Sequence, residues 1–203
     1  MTLFKNKYRI ESARLPKWDY SSSGYYFVTI CVYNRVCLYG NIVNGQMQLN
    51  TYGKIVYDEW NKSFDIRKEL RIDEYVVMPN HFHGIVQIVE THDRGPVASV
   101  ETHGRASLRQ PNHGVAYRSP KSISSMIAGY KSIVTKRINE CRQTPGRSLW
   151  QFRFYDRIIR NDRELFAIRR YIKNNPVNWA HDRNIVETMG ETVGNEPWLV
   201  YMQ

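Results

Sequence analysis

The chain opens its regular patterning at Tyr25–Tyr33, YYFVTICVY, an aromatic and β-branched run with the composition of a strand. CLYGNIV and QMQLN then flank Asn44-Gly45, the strongest short hairpin-turn signal. From Tyr52 to Phe64 the residues Ile55, Val56, Trp60 and Phe64 recur on one helical face. Glu74–Met78 and His81–Ile88 read as two strands joined tightly through Pro79-Asn80. Ser119-Pro120 carries a cap-and-first-turn signature for a helix bearing the stripe Ile123, Met126, Ile127, Tyr130, Ile133, Val134 and Ile138, ending near Cys141. Leu149–Ile159 alternates Trp150, Phe152 and Phe154 against Gln151, Arg153, Tyr155 and Arg157, which predicts a half-buried strand with a basic face. Asn161-x-x-Glu164 resembles a capping box, and the helix it opens ends near Asn174 or Asn175, before Pro176.

Between these elements, residues 89–120 are rich in Gly, Pro, Ser, Thr and His and repeat VETH at Val89 and Val100, which predicts a mobile loop. The spacing of His92, His103 and His113 fits no standard ligand set, so a solvated loop is expected there. Residues 181–203 form a tail with no assignable pattern. The expected organisation is one domain over residues 1–203, with its core at about 22–180. Without the hairpin and the last helix, the order is β-α-β-β-α-β. This is the α+β, ferredoxin-like split βαβ arrangement, an antiparallel sheet with helices on one face, here with an accessory hairpin and a C-terminal helix.

Composition narrows the function. Among 203 residues, 29 Lys and Arg stand against 19 Asp and Glu, for a net charge of +10. That excess favours an anionic partner, most often nucleic acid. Cys31, Cys37 and Cys141 are scattered, so neither a disulfide framework nor a zinc pattern follows, and a reducing, cytoplasmic location is expected. The N-terminal MTLFKNKYRIESARL lacks an apolar signal region, and no apolar run approaches the roughly 18 residues that span a bilayer, so no membrane partner is expected.

The candidate chemistry lies in DEYVVMPNHFHGIVQI. His81 and His83, two apart on a strand, share a face at about 6–7 Å, while Phe82, Val86 and Ile88 point toward the helix layer. The imidazoles are then expected on the open face, as half of a metal site. On the last helix Tyr171 and Asn175, at i and i+4, share a face beside the apolar stripe Leu165, Ile168 and Ile172. Either could equally serve structure, Tyr171 at the core edge and Asn175 at the helix end. Tyr130 is a rival phenol, but it falls on the apolar stripe of its own helix.

The blocks VVMPNHFHGIV, GYKSIVTKRIN, LWQFRFYDRIIRN and RRYIKNNPVNW together resemble the REP-associated tyrosine transposases, of the single-tyrosine HUH transposase group that acts on single-stranded DNA. The resemblance covers about Tyr25 to Trp179. It implies that His81 and His83 ligate a divalent metal, Mg²⁺ or Mn²⁺, with Asn175 as third ligand and Tyr171 as nucleophile. It implies cleavage and rejoining of single-stranded or hairpin DNA through a 5′-phosphotyrosine, and relatives that dimerise raise a homodimer as an alternative. Imidazoles alone suit zinc, nickel or copper better than magnesium, a tension that the sequence leaves open. Arg153, Arg157, Arg160, Arg169, Arg170 and Lys173 near the site, with Lys131, Lys136 and Arg137 on the preceding helix, are the expected DNA-binding residues, although solvated helix faces would look the same. No phosphate-binding GxxxxGK loop occurs, as expected for a reaction that conserves bond energy. Two other readings stay open: a hairpin-DNA binder that no longer cuts, and a phosphodiesterase that uses water.

Overall fold

The structure, a computed structural model, describes residue 14 and residues 18–89 and 121–182. Four strands, β1 (Gly24–Cys31), β4 (Leu70–Val77), β5 (His81–Ile88) and β6 (Tyr155–Ile159), form one antiparallel sheet in the order β4-β5-β1-β6. β2 (Gly40–Val43) and β3 (Gln46–Leu49) form the separate hairpin. Its turn places Asn44 (φ 52°) and Gly45 (φ 72°) in the left-handed region, the conformation that favours Asn-Gly. The helices are α1 (Thr51–Ile66), α2 (Ile123–Cys141) and α3 (Asp162–Asn174). The split βαβ arrangement expected from the sequence is therefore present.

Strand alternation separates two apolar layers. Tyr26, Val28 and Ile30 of β1, Phe82, Val86 and Ile88 of β5, and Ile158 of β6 face α1 and α2 and join the main core. At its centre Trp60 is fully buried, with its ring 4.4 Å from Phe82 and 5.2 Å from Tyr130. Tyr130 donates its hydroxyl to the Val56 carbonyl at 2.9 Å, which makes it a core residue. Gly84 is required by this packing, because a Cβ there would lie 2.9 Å from the Trp60 ring. The opposite sheet face carries Phe27, Ile85 and Ile159, against which α3 packs Leu165, Ile168 and Ile172.

Four local expectations are revised. The sheet face expected to be open is covered by α3. The stretch Leu149–Ile159 is strand only from Tyr155; before it there is a single bridge between Val32 and Trp150, and Phe152 is 96% exposed rather than half-buried. The start of α2 is capped by Ser122, whose hydroxyl accepts from the Ser125 amide. The Asn161 cap forms as expected, but Glu164 does not close the box: its carboxylate accepts from the Arg160 amide and the Arg157 side chain instead. The Ser119-Pro120 signature, His92, His103, His113 and nearly all of the expected loop and tail lie outside the described residues.

Candidate metal and tyrosine site

β5 begins directly on His81, and alternation aims His81 and His83 at α3 rather than at solvent. Both are buried, and their ring centroids lie 4.5 Å apart. Phe27 stacks on His83 from the neighbouring strand, with centroids 5.4 Å apart. From α3, Tyr171 reaches back across the same face, its hydroxyl 3.1 Å from His83 Nε2 within one chain. Asn175 caps the end of α3 and is buried. Beyond it a short turn, Trp179–His181, carries the chain back over His81, so that Trp179 stacks on that ring and Asp182 Oδ2 sits 3.7 Å from His81 Nε2.

Each imidazole is held from behind. His81 Nδ1 lies 2.7 Å from Asn80 Oδ1, and His83 Nδ1 lies 2.8 Å from Thr29 Oγ1. Burial pushes His81 down to about 4, and the Arg35 charge adds to the fall, while Asp182 and Asn175 oppose it. Burial, and then the neighbouring His81, hold His83 well below the usual histidine range. Both rings are therefore neutral near pH 7, the form in which imidazole binds metal.

The donor set fits a divalent cation. Ligand atoms of His81, His83 and Asp182 lie within 4.8 Å of one another. His81 Nε2 and Asn175 Oδ1 are buried with no hydrogen-bond partner among the described residues. Two orphaned acceptors beside a carboxylate are costly unless something positive engages them. The Asp182 oxygen and the Asn175 amide oxygen also ease the tension over metal type, since oxygen donors suit Mg²⁺ and Mn²⁺. Sequence reasoning missed Asp182, Asn80 and Thr29. Asn80 was visible as the residue before His81; Asp182 depends on the turn after Pro176, which no local pattern announces.

The expected DNA-binding residues do not form one surface. Arg157 is paired with Glu164 at 2.7 Å, Lys173 with Glu74 at 3.2 Å, and Arg169 with Asp73 through paired hydrogen bonds, one of 2.8 Å. These pairs fasten α3 to β6 and β4. Arg137 pairs with Glu59 on α1, and Lys136 lies 4.0 Å from Glu140. Lys131 donates to the Gln151 carbonyl at 2.7 Å. Lys131, Lys136 and Arg137 ride on α2, across the sheet from the imidazoles, so the structure does not bring them to the site. Arg153, Arg160 and Arg170 are exposed.

The fold is similar to that of a solved REP-associated tyrosine transposase bound to a REP hairpin. The two superpose with a TM-score of 0.52 at 19% identity, covering 84% of this chain and 76% of that one. The fold thus shares the resemblance read in the blocks around His81 and Tyr171. No family model matches the chain. The chain belongs to the same family as an uncharacterized protein of Haemophilus influenzae, 35% identical over 176 residues, which span 87% of this chain and 93% of the relative. No helix among the described residues is long and apolar enough to cross a membrane.

Proposed function

We propose that this chain is a transposase-type DNA strand transferase that cuts and rejoins single-stranded DNA through Tyr171. The observation that carries the reading is the 3.1 Å approach of the Tyr171 hydroxyl to His83 Nε2, beside the unpartnered His81 Nε2 and Asn175 Oδ1. His81, His83, Asp182 and Asn175 would hold a divalent cation, which when bound supplies charge to offset a scissile phosphate.

Tyr171 is the nucleophile. Its oxygen forms a bond to phosphorus as the bond from phosphorus to the 3′ oxygen breaks; the phenol gives up its proton and the departing oxygen takes one. The 5′ phosphate stays on the tyrosine, and attack by a 3′-OH reverses the step. One ester replaces another, so no nucleotide hydrolysis is needed. Phe27 and Trp179, packed on the imidazoles, hold the rings in place, and α3 shields the phenol.

The substrate class follows from charge and likeness. The net charge of +10 favours a nucleic-acid backbone, and the solved structural neighbour is bound to a hairpin. Arg153, Arg160 and Arg170 are exposed to solvent, and Arg170 lies over the Phe166 ring; these three are proposed as phosphate contacts.

The test is a labelled single-stranded hairpin oligonucleotide incubated with the protein and Mn²⁺ and resolved on a denaturing gel. A covalent adduct supports strand transfer. Cleavage without an adduct replaces it with water-dependent phosphodiester hydrolysis, and a mobility shift without cleavage replaces it with hairpin binding alone.

A further inference from the structure

We propose that Asn80 is a positioning residue that fixes the tautomer of His81, and that Thr29 does the same for His83, so that both Nε2 lone pairs face the space under Tyr171. The inference deepens the metal-site reading above and rests on it.

The orientation of the Asn80 amide is set independently of the histidine. Its Nδ2 donates to the Arg35 carbonyl at 3.0 Å, so the atom 2.7 Å from His81 Nδ1 is the amide oxygen. The Asn80 backbone carbonyl accepts from the Val32 amide at 2.9 Å, and the residue is buried, so the group cannot swing away. An amide oxygen only accepts. His81 Nδ1 must therefore carry the hydrogen, and a neutral imidazole has only one. Nε2 is left bare. It is also the nitrogen that lies 3.7 Å from Asp182 Oδ2 and lacks a hydrogen-bond partner among the described residues. The opposite tautomer would set two lone pairs against each other at 2.7 Å.

Thr29 is less restrictive, because a hydroxyl can donate or accept. At 2.8 Å from His83 Nδ1 it accepts when His83 Nε2 uses its lone pair, whether toward the Tyr171 hydroxyl or toward a cation. The two supports reach the rings from different elements, Asn80 from the β4–β5 turn and Thr29 from β1. Such outer partners orient a ligand and raise its basicity, and their loss typically costs about 10–100-fold in metal affinity.

The tautomer is read directly. In the metal-free protein, ¹⁵N-resolved imidazole spectra should show His81 protonated at Nδ1 and bare at Nε2. A proton at Nε2 of His81 in the wild type overturns the proposal, whatever any variant does. Mn²⁺ titration calorimetry on the full chain should then show Asn80→Ala weakened by roughly 10–100-fold, with Asn80→Asp, which keeps the accepting oxygen, recovering most of the loss. Thr29→Ser should bind as the wild type does and Thr29→Val should not. An Asn80→Ala protein that binds Mn²⁺ with wild-type affinity removes the positioning role. If the wild type binds no divalent ion, the metal reading fails, while the spectra still decide the tautomer.

Discussion

Replacing Tyr171 by Phe separates two roles that the phenol could play toward His83. The hydroxyl lies 3.1 Å from Nε2, and that nitrogen has a single lone pair in the neutral ring. A hydrogen bond from Tyr171 and a bond to a cation therefore exclude each other. A net hydrogen bond contributes about 0.5–1.5 kcal/mol, and cation binding must first displace this one. Tyr171→Phe removes the competitor, destabilises the metal-free protein by about that amount, and costs the loaded state no bond to His83. At about 1.4 kcal/mol per tenfold, the Mn²⁺ Kd should tighten by roughly two- to tenfold. The same variant should form no covalent adduct with DNA while binding it nearly as well. Titration calorimetry measures the first effect and a denaturing gel the second. A Kd for Mn²⁺ weakened tenfold would show that Tyr171 is itself a ligand, and a retained adduct would show that another residue attacks.

Three further outcomes follow from the same geometry. Because burial lowers His81 from 6.5 to about 4, the unfolded chain takes up a proton in that window while the folded one does not. Stability without metal is then full above about pH 6.5 and falls toward pH 4, by about 3 kcal/mol from His81 alone. Urea unfolding at pH 7 and pH 5 checks this, and equal stability at both would refute it. Asp182→Ala should weaken Mn²⁺ binding about tenfold or more by removing the charged oxygen from the set, and unchanged affinity would leave Asn175 and the imidazoles as the whole site. Trp60→Ala should cost about 3–5 kcal/mol in thermal or urea unfolding, since the ring is fully buried between Phe82 and Tyr130; a loss under 1 kcal/mol, on the scale of an ordinary surface change, would contradict that packing.

The layer order was legible because it rests on period-two and helical spacing. Phe82, Val86 and Ile88 do face α1 and α2, and Asn44-Gly45 does turn the hairpin. Tyr171 and Asn175 share a helix face as their spacing required, and Leu165, Ile168 and Ile172 dock that helix. What spacing could not give was the far side of the sheet. The alternation places the imidazoles opposite Phe82 but is silent on whether a helix covers them, and α3 does. The basic residues show a related limit: charge along a sequence does not show its partners, and Glu164 on α3, Asp73 and Glu74 on β4, and Glu59 on α1 each meet a cation from another element. Leu149–Phe154 carried the alternation of a strand, yet only Trp150 meets a neighbour in a bridge, so Phe152 stays in solvent. Asp182 entered the site through a turn of the backbone, a long-range event that no periodicity encodes.

The central claim is that one phenol, Tyr171, attacks phosphorus beside His81 and His83. Mass spectrometry of the protein trapped with a single-stranded hairpin oligonucleotide and Mn²⁺ tests it most directly, by locating the attached nucleotide. The account predicts that the added mass lies on Tyr171 and disappears when His81 is changed to Ala. A nucleotide on Tyr130 or any other residue, or strand cleavage with no attached nucleotide at all, would contradict it.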